Sequence, residues 1–162
     1  MSGDRQTADV GSGIRRARGW DASVLSELAM RSKGHWGYDA AFLAACRGDL
    51  ALSPEDIATS AVYISDVDGR PEGYYRLLPL DESAVDLDAF FVEPSAIGRG
   101  VGGRLWQHAV ATATKLGYSE LVMQSDPHAE GFYLAMGAQR DGTSESTVMP
   151  GRMLPLLRFR PR

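Results

Sequence analysis

The run Ala89-Phe90-Phe91-Val92 is followed, after Glu93 to Ile97, by Gly98-Arg99-Gly100-Val101-Gly102-Gly103-Arg104. The first stretch reads as a strand, and the second opens a helix-like stretch that reaches Leu116. Four glycines within six positions let the backbone turn sharply and come close to a ligand. The unpaired amides of the helix's first turn would then face an anion. A plain turn has no need of Gly102 and Gly103 inside a first helical turn, where each costs roughly 1 kcal/mol relative to alanine. The junction therefore predicts a phosphate site, and with it a nucleotide-type cofactor.

Working outward, 162 residues of which 44% are apolar suit one compact domain. Such a chain buries about 70% of the surface it exposes when unfolded. We place that domain at residues 14–162. Met1 to Gly13 is rich in Gly, Ser, Asp and Thr, lacks the apolar centre of a signal peptide, and reads as a flexible N-terminal tail. No run approaches the roughly 20 apolar residues of a membrane span, and Cys46 stands alone. The expectation is a cytoplasmic protein without a membrane partner. A net charge of −4 lacks the basic footprint of a nucleic-acid binder and would tolerate cationic acceptors. The arginines at Arg15, Arg16 and Arg18 and at Arg158, Arg160 and Arg162 read as solvated ends.

Local patterning orders the elements. Ile14 to Ala17 reads as a first strand, and Asp21 as the N-cap of a helix carrying Val24, Leu25, Leu28 and Ala29. Asp39 caps a second helix with Phe42, Leu43 and Cys46 on one stripe. Ala61 to Ile64 and Glu72 to Leu80 form a hairpin around Asp68-Gly69, which implies antiparallel pairing. Val85 to Val92, the helix from Val101 to Leu116 with Gly117 at its C-cap, and Glu120 to Gln124 make a βαβ unit. That unit brings parallel pairing or a local splay beside the glycine loop. Asp126 caps a short helix with Pro127 first and Gly137 at its end. Ser146 to Met149 and Met153 to Phe159 close the chain as strands joined by Pro150-Gly151. The fold class is α/β, a mixed and mostly antiparallel sheet with flanking helices.

Gly98, Gly100 and Gly103 also satisfy the G-x-G-x-x-G dinucleotide fingerprint, with Asp126 roughly 20 residues on. The five residues between strand and first glycine, and the 36 residues after Asp126, count against an NAD(P)-binding doubly wound sheet. Instead, Ile97-Gly98-Arg99-Gly100-Val101-Gly102 resembles the R/Q-x-x-G-x-G/A pyrophosphate motif of the GCN5-related N-acetyltransferases. Phe132-Tyr133-Leu134-Ala135-Met136-Gly137 is similar to that family's Phe-Tyr-x-x-x-Gly signature, and the resemblance extends from about Ile14 to Phe159. The chain departs from the family at Ile97, where Arg or Gln is usual, and at Asp126, where an Asn often contacts the cofactor.

The resemblance implies acetyl-CoA as co-substrate, its pyrophosphate on the amides of Arg99 through Arg104, and Gly98, Arg99, Gly100, Val101, Gly102, Gly103, Arg104 and Asp126 at the cofactor site. It also implies that the backbone of Phe91 and Val92 holds the pantetheine arm and polarises the thioester carbonyl. Tyr133 is the candidate general acid for the departing thiolate, because its phenol stays protonated at neutral pH; its alternative is a core tyrosine. Asp86 and Asp88 are candidate bases, placed by strand alternation on one face with Phe90 following, while Leu87, Ala89 and Phe91 point to the other. They read equally as exposed polar residues.

His35, Trp36 and Tyr38 are candidate walls of the acceptor site, or a staple holding their loop on the core. His35, His108 and His128 have no metal-ligand spacing with each other or with Cys46, so no metal is implied. The function expected is transfer of the acetyl group to a primary amine on a small molecule or peptide. The alternative is a silent acyl-CoA-binding sensor or structural protein. An exposed C-terminal edge strand would suit a homodimer.

Overall fold

The computed structural model describes residues 13–162. The expected N-terminal tail lies outside the described residues except for Gly13. The sheet has seven strands: β1 (Ile14–Arg16), β2 (Ala61–Val67), β3 (Arg70–Pro79), β4 (Ala84–Val92), β5 (Glu120–Gln124), β6 (Gln139–Glu145) and β7 (Met153–Phe159), in the order β1-β2-β3-β4-β5-β7-β6. Every neighbouring pair is antiparallel except β4 with β5. The β2–β3 hairpin turns on Asp68 and Gly69, both at positive φ (52° and 78°), the geometry that an Asp-Gly pair supplies most readily.

The central βαβ unit takes the expected form. Helix α4 (Val101–Lys115) follows α1 (Ala22–Gly34), α2 (Ala40–Leu50) and α3 (Pro54–Thr59) in the chain, and α5 (Glu130–Ala135) comes last. Val101, Leu105, Trp106, Ala109 and Ala113 recur at helical spacing and bury one face of α4 against Tyr75, Leu77, Val85, Leu87 and Leu121. Gly73 lets the helix sit close, since a Cβ there would lie 2.8 Å from Leu105 Cδ1 and 2.9 Å from Phe91 O. On the opposite sheet face, Leu25, Leu28 and Ala29 of α1 pack with Ile57, Val62, Ile64, Tyr74 and Ala89.

Three local expectations need correction, and one helix was not anticipated. Asp21 does not cap α1: its backbone is helical and its carboxylate turns back to Arg15 (2.9 and 3.0 Å) and to the Arg18 amide (2.8 Å). A short 3₁₀ turn, Gly19–Asp21, takes up the space a cap would need. Helix α3 has no counterpart in the apolar pattern because its six residues bury only Ile57, although Ser53 and Asp56 form a capping box before and within it. Asp126 opens the turn that precedes α5 rather than capping the helix, whose N-cap is Ala129. Residues 146–149 are not a strand. The strand partner of β7 is Gln139–Glu145, and the Ser146 hydroxyl accepts the Val148 and Met149 amides at 3.1 and 3.2 Å in the following turn. Strand β6 lacks apolar alternation because it is an exposed edge. Among the described residues, no helix is long and apolar enough to cross a membrane.

Candidate active site

Strands β4 and β5 pair only from Ala84↔Glu120 to Asp86↔Val122. Beyond Asp86 they separate, and from Leu87 onward the edge of β4 that faces β5 has no strand partner. A cleft of about 430 Å³ occupies this splay. Phe91 and Val92 line it, as do Gly98, Gly100, Gly102 and Gly103.

Gly98 and Gly100 adopt φ of 86° and 82°, which explains glycine at both positions. The Arg99 amide donates to Ala96 O (3.3 Å) and the Arg104 amide to Gly100 O (3.1 Å). The amides of Gly100, Val101, Gly102 and Gly103 have no acceptor among the described residues. The run of free amides is therefore shorter than the span from Arg99 through Arg104 that was expected to face a phosphate. Gly102 crosses α5 closely, where a Cβ would meet Phe132 Cε1 at 3.1 Å, whereas Gly103 faces open space. The Val101 side chain is buried in the core, and the Arg104 guanidinium lies 3.4 Å from Arg99 O. Neither side chain lines the cleft, nor does that of Arg99. Four free amides at the N-terminus of a fifteen-residue helix suit a phosphate.

Tyr133 is 7% exposed and lies among Phe90, Trp106 and Phe132, with ring centroids 5.4–5.8 Å away. It lines the cleft, and its hydroxyl makes no hydrogen bond among the described residues. Burial, then the nearby Asp126 carboxylate, pushes the phenol well above its ordinary value, so it stays protonated at neutral pH.

Asp86 and Asp88 share the sheet face toward α1 and α2, as expected. Phe90 does not join them. Arg76 pairs with Ala89 and Leu77 with Leu87, leaving Asp88 as the extra residue of a β-bulge, so alternation breaks there. Phe90 thus points to the α4–α5 side, 5.5 Å from the Phe132 ring, while Ala89 packs with the α1 core. Asp88 lines the cleft and receives Arg76 Nη1 at 3.3 Å. Asp86 is not among the lining residues, and burial followed by the Asp88 charge raises its carboxyl to about 6.

Asp126 lines the cleft with both oxygens engaged. Oδ2 accepts from Lys33 Nζ (2.6 Å) and the Tyr38 hydroxyl (2.9 Å), and Oδ1 from the His128 amide (2.8 Å). Burial opposes ionisation, but the Lys33 ammonium and the His128 amide outweigh it and hold the carboxyl at about 2. Tyr38 is tied into this cluster rather than lining the cleft, and is raised to about 12 by burial and Asp126. Trp36 does form a wall, stacked on His128 at 5.2 Å. His35 meets Trp36 edge-on at 4.9 Å and lies outside the lining.

Sequence reasoning missed Lys33, Asp49, Gln124 and Arg152, all of which line the cleft. None sits in a motif. Ser53-x-x-Asp56 was the available signal for α3, but no pattern marks an isolated Arg152 after a turn. Among the described residues, no three His, Cys, Asp or Glu side chains come together as a metal site.

Comparison with known proteins agrees with this geometry. Residues 27–138 match the model of the Acetyltransferase (GNAT) family. The peptidyl-lysine N-acetyltransferase YjaB of Salmonella typhimurium strain LT2 is 32% identical over 150 residues, which span 89% of this chain and 94% of that protein. The PaiA N-acetyltransferase of Thermoplasma acidophilum, solved in complex with coenzyme A, superposes with a TM-score of 0.77 at 17% identity over 91% of this chain and 98% of that one. A GCN5-related N-acetyltransferase of Rhodopseudomonas palustris gives 0.75 at 18% over 91% and 94%. The splayed sheet, the glycine amides and the extent of these matches show that the chain is an acyltransferase belonging to the GNAT acetyltransferase family.

Proposed function

We propose that the protein transfers the acetyl group of acetyl-CoA directly to a primary amine, with a lysine-type amine as acceptor. The observation that carries this reading is one continuous cleft with free helix-terminal amides at one end, an unbonded tyrosine hydroxyl in its wall and carboxylates on the acceptor side. The YjaB relative's name supports the amine class.

In this reading, the amides of Gly100 to Gly103 hold the pyrophosphate, and the open edge of β4 at Phe91 and Val92 orients the pantetheine arm and polarises the thioester carbonyl. The acceptor arrives as an ammonium and loses a proton toward Asp86, directly or through water past Asp88; a carboxyl held at about 6 is ionised at neutral pH and basic enough to help. The amine nitrogen attacks the thioester carbon and forms the C–N bond. Collapse breaks the C–S bond, its electron pair goes to sulfur, and the Tyr133 hydroxyl gives the thiolate its proton. Solvent restores that proton to Tyr133 as the acetylated nitrogen releases its own.

Replacing Tyr133 with Phe tests the assignment. We expect kcat to fall by about 10² or more, with acetyl-CoA affinity unchanged. An unchanged kcat would remove Tyr133 from proton transfer.

A further inference from the structure

We infer that Arg152 selects acceptors that carry a carboxylate beside the amine to be acetylated; this deepens the acyl-transfer reading and rests on it. Arg152 stands in the loop before β7 and lines the acceptor half of the cleft. Its guanidinium carbon lies 4.9 Å from the Phe42 ring centre and 5.3 Å from that of Tyr38. Nη2 donates to the Tyr38 hydroxyl at 2.8 Å, which fixes the plane of the group. The remaining guanidinium donors have no protein acceptor among the described residues, and no carboxylate there lies within ion-pair distance. Asp126, beyond Tyr38, is already neutralised by Lys33 at 2.6 Å. Lys33 and Arg152 are the cationic Lys and Arg side chains of the lining, so Arg152 is the one left without a counter-ion.

A half-buried, oriented, planar cation with free forked donors matches a carboxylate. The same cleft holds Asp88, whose protein cation is Arg76, and Asp49, held by the Thr147 hydroxyl at 2.9 Å. Negative groups for an ammonium and one positive group for a carboxylate thus share one acceptor space. A polyamine would bring a second ammonium toward Arg152 and be disfavoured by repulsion.

The test compares L-lysine with L-lysine amide, and a terminally blocked peptide with lysine followed by aspartate with its asparagine counterpart. Each acceptor is assayed by thiol release and by thermal shift on the CoA complex. In the unsubstituted protein, we expect at least one carboxylate-bearing acceptor to exceed its amide by tenfold or more in kcat/KM. A preference confined to lysine assigns a free amino acid, and one confined to the peptide assigns an acidic protein segment. Arg152→Met should bring the ratio close to one by raising KM, with KM for acetyl-CoA unchanged, and Arg152→Lys should retain part of the preference.

Equal use of both members of each pair, or a preference that survives Arg152→Met, overturns the inference. If no amine is acetylated, the thermal shift still decides. Greater stabilisation by the carboxylate form, lost in Arg152→Met, keeps the anion site while the transfer reading fails. Equal shifts sink the anion site.

Discussion

Asp86 shows how far one residue's chemistry departs from what its neighbours in sequence suggest. Alternation along Asp86-Leu87-Asp88 places the two carboxylates together, and they are together. The bulge at Asp88 is not legible, because a two-for-one register depends on the facing strand and leaves no mark in β4 itself. Its consequence is that Phe90 joins Tyr133 and Phe132 instead of following the acids. Burial then lifts the Asp86 carboxyl from its ordinary 3.8 to about 6. If its ionised form is the base, kcat/KM for the amine should rise with pH through an apparent pKa near 6, and Asp86→Asn should remove that limb. The sign for stability is the reverse. A carboxyl whose folded pKa lies above its unfolded one binds more protons in the folded state between about 4 and 6, so stability from this group is gained as pH falls through 6. Asp86→Asn should accordingly raise Tm at pH 7.5 and have little effect at pH 4. A Tm unchanged at both values would show that Asp86 is not strained by burial.

At the scale of elements, legibility follows length and amphipathicity. Helix α4 and strand β4 were readable because fifteen and nine residues give their apolar periods room to repeat. Helix α3 and strand β6 were not, since one buries a single residue and the other none. The turn from Asp126 to His128 was misread as helix because proline after an acidic residue suits a helix start and a tight turn equally well; Lys33 and Tyr38, distant in sequence, decide between them. Gly73 belongs to this scale too. Nothing local requires glycine there, yet α4 reaches the sheet only because β3 has no Cβ at that point. Gly73→Ala should destabilise the fold by about 1–3 kcal/mol through overpacking. Urea unfolding measures it, and a loss below about 0.5 kcal/mol would mean that Leu105 moves aside freely.

For the whole molecule, the glycine loop, the Phe-Tyr segment and the βαβ order sufficed to place the cleft, because each is contiguous and sits on one unit. Most of the other half of the cleft was not legible for the opposite reason, Trp36 and Asp126 being lining residues there that the sequence reading had named. Lys33, Asp49 and Arg152 come from α1, α2 and the loop before β7, so they join Trp36 and Asp126 only after the chain has closed around the sheet. The reading as an acetyl-CoA-dependent N-acetyltransferase joins these two halves, and one experiment asks whether they work together. Protein, acetyl-CoA and a lysine-containing acceptor are incubated while free thiol is titrated and the acceptor is weighed by mass spectrometry. The account predicts one acetyl group gained on the amine for each thiol released, dependent on Tyr133. Acetyl-CoA bound tightly with neither thiol released nor acceptor mass changed, across free and peptide-borne amines, would contradict it.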